Sequence, residues 1–76
     1  MEEFLRYVLS QLVEYPDEIV ITRVEKPGEI TFYLAARKTD LPKIIGKGGH
    51  TIQALRTLLA ASGQKHETKV ALEIVE

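Results

Sequence analysis

Hydrophobic residues at the start of the chain recur at spacings of three and four, with charged and polar residues between them. This period predicts an amphipathic α-helix, and Pro16 should end it because proline disfavours helical conformation in the residue before it. The apolar stripe of this helix consists of Phe4, Leu5, Val8, Leu9, Leu12 and Val13.

Two strands joined by a tight turn are predicted next. Residues 19–25 are rich in β-branched side chains, and residues 30–36 place Phe32 and Leu34 on one face. Between them, Lys26-Pro27-Gly28-Glu29 has the composition of a turn in which glycine takes a positive φ. The opposite face of the second strand is only weakly polar, which favours a central place in the sheet.

The second half of the chain predicts two helices. Thr39 or Asp40 can cap a short helix that runs through Ile45. A longer helix is predicted over residues 51–62 and should end at Gly63. Its apolar stripe consists of Ile52, Leu55, Leu58 and Leu59.

A third strand closes the chain, since residues 68–75 alternate with Val70, Leu72 and Ile74 inward. The predicted order is therefore α-β-β-α-α-β. A sheet this small cannot enclose three helices, so they should pack on one face and leave the other face in water. The sequence thus predicts one two-layer α+β domain over residues 1–76.

Composition narrows the function classes. The 76 residues contain no cysteine, so disulfides, thiolate metal sites and cysteine nucleophiles are not expected. The N-terminus is acidic and amphipathic rather than a basic region followed by an apolar run, and no stretch is long and apolar enough to span a bilayer. We expect a soluble, cytoplasmic protein.

Charge is distributed unevenly along the chain. The net charge of −1 argues against a protein that coats nucleic acid nonspecifically. Residues 37–66, however, carry +5, whereas residues 1–36 carry −4 and residues 67–76 carry −2. This asymmetry favours an anionic ligand directed to one face.

The positive segment contains the turn Gly46-Lys47-Gly48-Gly49 between the two predicted helices. Glycines leave the backbone accessible, so a phosphate can approach the main-chain N–H groups at the positive end of the following helix. Lys47 can add a mobile positive charge at the apex. The alternative is that Gly46 and Gly49 only allow a tight connection between helices.

Further candidates flank the turn. Lys43 lies about one helical turn before Lys47 and should face the same side. Arg37 and Lys38 follow the second strand and either reach the ligand or only solubilise a loop, while Gln53 could meet a base edge. Apolar residues Ile44, Ile45 and Ile52 are more often core than groove, so a binding role concerns only the exposed member of the adjacent pair. Arg56 has the pattern of a surface residue.

Catalytic and metal sites are not indicated. The chain has two histidines far apart in sequence, His50 and His66, and no convergent Ser/His/Asp or paired-carboxylate arrangement. A nucleotide-binding P-loop needs a longer glycine motif after a strand, whereas this turn follows a predicted helix. We therefore expect a non-enzymatic protein without metal or other cofactor.

Ile44-Ile45-Gly46-Lys47-Gly48-Gly49 between two helices resembles the signature of the KH domain, a module that binds RNA and single-stranded DNA. The α-β-β-α-α-β order resembles its type II form, with the minimal motif at residues 29–76. A free-standing unit of this size is similar to the small bacterial KH-only proteins of the KhpA (YlqC) family.

That resemblance implies a role for each matched position. Gly46-Lys47-Gly48-Gly49 would clamp the phosphates of single-stranded RNA, and Ile44 and Ile45 with Ile52 would form an apolar groove floor. KH domains hold about four nucleotides in this way. The family pattern usually has arginine after the turn, where this chain has His50, a side chain that is mostly neutral at pH 7.

Two functions remain open at this point. One is single-stranded RNA binding in post-transcriptional regulation or as an RNA chaperone. The other is an assembly module that keeps the KH shape and binds RNA weakly. The resemblance also implies a homodimer, pairing with a larger KhpB (Jag/EloR)-like KH protein, and a link to cell shape through elongation and division.

Overall fold

The computed structural model describes residues 1–75. Its helices and strands are α1 (Glu2–Leu12), β1 (Val20–Lys26), β2 (Glu29–Ala35), α2 (Leu41–Ile45), α3 (His50–Gln64) and β3 (Lys69–Ile74). Two short 3-10 turns, Pro16–Glu18 and Lys47–Gly49, precede β1 and α3. The element order and the α+β class agree with the sequence prediction.

The three strands form one mixed sheet in the order β1-β2-β3. β1 and β2 are antiparallel and are joined at Pro27-Gly28, where Gly28 has a φ of 73°. β3 returns parallel to β2 after the two helices, so that Phe32 lies beside Leu72. The prediction that the second strand is central is confirmed.

The core lies between the sheet and the helices. Phe32 and Leu34 of β2 are fully buried, as are Leu5 and Leu9 on the inner face of α1. On the same side of the sheet as α1, α3 contributes Ile52, Leu55 and Leu59 to the core. Residues of the opposite sheet face, including Thr22 and Tyr33, which are paired in the ladder, remain exposed. The helices thus cover one face of the sheet, as predicted.

Asp40 has a different role from the predicted helix cap. It stands at the N-cap position of α2, but neither it nor Thr39 caps that helix through its side chain. The Asp40 carboxylate is fully buried and accepts hydrogen bonds from the backbone N–H groups of Glu14, at 3.1 Å, and Tyr15, at 3.0 Å. It therefore joins the segment after α1 to the start of α2.

Burial, hydrogen bonds and a nearby lysine all act on the pKa of the Asp40 carboxyl. Burial by itself raises the pKa of Asp40, but the N–H groups of Glu14 and Tyr15 and the nearby Lys43 outweigh burial and lower the pKa below 3.8. The side chain is thus an ionised acceptor in the folded protein.

The long helix departs from prediction at two positions. Gly63 does not end α3, which continues to Gln64, and Gly63 is buried inside the helix. A Cβ at this position would meet the carbonyl oxygen of Thr68 and would lie 2.6 Å from Val70 Cγ2. Glycine is needed here because the chain packs closely, not because it ends the helix. Leu58, predicted in the apolar stripe, is 53% exposed.

Candidate functional site

The turn between α2 and α3 is built from left-handed glycines. Gly46, Gly48 and Gly49 have φ values of 79°, 65° and 78°, a region that other residues rarely adopt. The N–H of Gly49 donates to the oxygen of Gly46 at 3.0 Å, which closes the turn. The sequence can fold this way because glycine, which has no Cβ, adopts a positive φ without strain at all three positions.

The glycines of this turn differ in their surroundings. A Cβ at Gly46 would clash with the Thr51 side chain and lie 2.9 Å from the Thr51 backbone nitrogen. Around Gly49 nothing lies within 4 Å of that position, and Gly48 has only the His50 ring, 3.6 Å away. Gly46 therefore serves the tight connection, whereas Gly48 and Gly49 leave accessible backbone.

Donors at the turn are available to a ligand. Within residues 1–75, the backbone N–H groups of Lys47 and Gly48 meet no backbone acceptor, and Lys47 forms no ion pair. None of the described side chains caps the N-terminus of α3 at Gly49. Exposed Lys47 and His50 flank this end of the helix. Positive charge, free N–H groups and the helix dipole together suit a phosphate.

The other predicted cations are placed differently. Lys43 Nζ lies 3.6 Å from Glu14 Oε2 and 3.5 Å from Asp40 Oδ1. Arg37 Nε lies 3.0 Å from Glu18 Oε2, and its guanidinium lies 3.8 Å from the centre of the Tyr15 ring. Both side chains therefore contact the segment between α1 and β1.

Lys38 takes no part in the ion pairs of Arg37 and Lys43. It is exposed and borders an apolar cleft that is also lined by Ala35, Ala36, Leu41 and Val75.

The predicted apolar floor is mostly core. Ile44 is completely buried and Ile52 is 6% exposed, so neither presents a surface to a base. Ile45 packs against the core but is only partly buried. Of the adjacent isoleucines, Ile45 is thus the member that could contact a ligand.

A groove of about 340 Å³ runs between α3 and β3. On the helix it is lined by residues with the spacing i, i+3, i+4 and i+7, namely Gln53, Arg56, Thr57 and Ala60. The facing wall is β3, with Val70, Ala71, Leu72 and Glu73. The α3 side begins one helical turn after the glycine turn, so a strand held at Gly48 and Gly49 could continue into it.

Sequence reasoning identified Gln53 but missed the rest of this groove. The helical spacing of Gln53, Arg56, Thr57 and Ala60 was a readable signal for one wall. The β3 wall follows only from the parallel packing of β3 beside β2. Arg56, treated as a surface residue, donates from Nε to the Leu72 carbonyl oxygen at 3.1 Å across this groove.

The described residues hold neither a metal-binding cluster nor a membrane-spanning helix. Among residues 1–75, no group of three or more His, Asp or Glu side chains is placed to hold a metal ion. Over the same residues, none of the helices has the length and hydropathy needed to cross a bilayer.

Known proteins resemble the chain over its length. The model of the family described as KhpA/KhpB, KH domain matches residues 2–74. "RNA-binding protein KhpA" of Chlamydia pneumoniae is 43% identical over 76 residues, which cover 100% of this chain and 97% of the relative. The protein of the same name from Listeria monocytogenes is 40% identical with full coverage of both chains. No solved structure matches.

Proposed function

The chain belongs to the KhpA/KhpB family of KH domains, and from this membership we propose that it binds single-stranded RNA through the glycine turn. The observation that carries the proposal is the accessible backbone at Gly48 and Gly49 beside Lys47, which forms no ion pair with any of residues 1–75. Relatives such as those from Chlamydia pneumoniae and Listeria monocytogenes are named RNA-binding proteins. The matches to both relatives cover the whole of this chain.

In the proposed complex, the turn binds the RNA backbone. A phosphate oxygen accepts hydrogen bonds from the N–H groups of Lys47 and Gly48 at the N-terminus of α3. Lys47 Nζ supplies the positive charge that neutralises the phosphate, and His50 contributes a ring edge beside it. The following nucleotides enter the groove between α3 and β3, where Gln53 is the first side chain to reach a base.

The predicted site residues fall into two groups, those at the glycine turn and those that already pair with acidic side chains. Lys47, His50 and Gln53 belong to the turn and the start of α3, and we propose that they contact RNA. Arg37 and Lys43 already have acidic partners in the protein, so their contribution is to hold α2, and thereby the turn, against the α1–β1 segment.

The cellular role we propose is non-enzymatic, cytoplasmic and post-transcriptional, either in regulation or as an RNA chaperone. A homodimer, or a complex with a larger KhpB-like protein, would place two clamps on one RNA. RNA bound at one clamp would then have a high effective concentration at the other clamp. The link to cell shape follows from the same family resemblance.

An assembly module is the second candidate. The observation that favours it is the set of apolar side chains on the uncovered sheet face, with Val20 56%, Val24 40% and Tyr33 39% exposed. Such a surface can be covered by a partner protein. In that case the glycine turn would be dispensable for assembly.

The test is fluorescence anisotropy of labelled single-stranded RNA at two salt concentrations. The turn variant combines Lys47→Asp with Gly48→Asp. The matched control combines Lys26→Asp with Gly28→Asp, which makes the same charge change at an exposed turn whose glycine also has a positive φ. Circular dichroism and sedimentation confirm that each variant keeps the fold and the oligomeric state of the wild type.

We expect the wild type and the control to bind with an affinity that falls as salt rises. The turn variant should bind at least about tenfold more weakly, and its salt slope should be smaller by about 0.7 for each lost phosphate contact. Equal binding by the turn variant and the wild type would refute the clamp. Unchanged RNA binding by the turn variant, together with self-association of the wild type in sedimentation, would instead support the assembly function.

A further inference from the structure

Arg56 occupies the middle of the groove between α3 and β3. It is six residues beyond His50, which places it about 9 Å along the helix axis from the start of α3. Its side chain is half-buried, and it lines the groove together with Gln53 and Thr57. A base that follows a phosphate held at the glycine turn would reach this depth.

One part of the Arg56 guanidinium is already used and the rest is available. Nε donates to the Leu72 carbonyl oxygen at 3.1 Å, which fixes the plane of the group against the edge of β3. The two Nη groups meet no acceptor within residues 1–75. Arginine carries donors only, so this side chain presents a fixed set of N–H groups to the groove.

Of the other polar side chains that line the groove, Gln53 lies about one helical turn nearer the glycine turn and Glu73 lies on the opposite wall, so Arg56 is the donor in the middle of the groove. Thr57 Oγ1 donates to the carbonyl oxygen of Gln53 at 3.0 Å, so its proton is not available to a ligand. Ala60 and Ala71 add only methyl groups and leave space for a planar ring. The fixed donors of Arg56 are therefore the directional donors at this depth of the groove.

We propose that Arg56 is a specificity-determining residue that makes the groove favour guanine over adenine. This inference rests on the proposed RNA binding and adds the base preference of the same site. Guanine presents two adjacent acceptors, O6 and N7, which match two N–H donors of a guanidinium. Adenine replaces O6 by an amino group, which places a donor against a donor. A matched pair of this kind discriminates by about tenfold or more.

The first experiment uses the wild-type protein and changes only the RNA. Binding by fluorescence anisotropy is compared for a run of uridines that contains one guanosine, one adenosine, one inosine or one 7-deazaguanosine. We expect guanosine and inosine to bind about tenfold more tightly than adenosine, because both carry O6 and N7. 7-Deazaguanosine lacks the N7 acceptor and should bind much closer to adenosine.

The second experiment changes the protein. Arg56→Lys keeps the charge but removes the planar pair of donors, so the preference for guanosine over adenosine should fall below about twofold. Arg6→Lys, an exposed arginine on α1, is the matched control and should keep the full preference. If Arg56→Lys fails to fold, the 7-deazaguanosine result with wild type decides.

The outcomes separate the two claims. Absence of RNA binding by the wild type would overturn the proposed function and this inference together. RNA binding with equal affinity for guanosine and adenosine, or a preference that persists in Arg56→Lys or with 7-deazaguanosine, would overturn the inference alone.

Discussion

Replacing Gly63 with alanine should destabilise this domain, although the same substitution stabilises most helices. Gly63 lies in α3 with ordinary helical geometry and is buried. A Cβ there would run into the carbonyl oxygen of Thr68 and would lie 2.6 Å from Val70 Cγ2. Thr68 N also donates to the Gly63 carbonyl oxygen at 2.9 Å, which holds the returning chain against the helix.

Two opposing effects set the size of the change. In a helix interior, alanine is favoured over glycine by about 1 kcal/mol. Overpacking a close contact costs about 1–3 kcal/mol, and the upper end applies here because one of the contacts is a backbone atom that cannot rotate away. We therefore expect Gly63→Ala to lower the free energy of unfolding by about 2 kcal/mol.

Urea denaturation followed by circular dichroism measures this effect. For a chain of this size the slope is about 1 kcal/mol per molar urea, so the midpoint of Gly63→Ala should fall by about 2 M. Ala61→Gly, exposed in the same helix, calibrates the propensity effect and should cost about 1 kcal/mol. A higher midpoint for Gly63→Ala than for the wild type would refute the close approach of Thr68 and Val70.

Asp40, Gly46 and Phe32 each hold a part of the fold that a single substitution can test. Because folding lowers the pKa of Asp40, its carboxylate stabilises the protein above pH 3.8 and loses this effect as the pH falls further. The difference in urea midpoint between the wild type and Asp40→Asn should therefore become smaller on acidification. A difference that stays constant with pH would contradict this. Gly46→Ala should lower the urea midpoint more than Gly49→Ala. The positive φ strains alanine at both positions, but only at Gly46 would the new Cβ also clash with Thr51. Equal midpoints for the two variants would contradict this. Phe32→Ala should cost about 3–5 kcal/mol and leave much of the chain unfolded by NMR, whereas well-dispersed amide spectra would contradict this.

Much of the architecture was readable from local patterns. The 3.6-residue period before Pro16 and the alternation in residues 30–36 reflect which side of one element faces the core, and that information lies within a short window. The positive φ at Gly28 and the glycine turn at Gly46–Gly49 were predicted for the same reason, since turn chemistry depends on adjacent residues. These patterns determined the element order, the central strand and the position of the candidate clamp.

Tertiary structure alone decided the features that join distant segments. The buried Asp40 bonds to Glu14 and Tyr15, 26 and 25 residues away. Gly63 is constrained by the returning chain at Val70, and Arg56 crosses to Leu72 of β3. A local window records which face of an element is apolar, but not which distant backbone atom comes within contact distance of it. Packing of α3 against the parallel strand β3 sets those distances, and with them the groove beside the glycine turn.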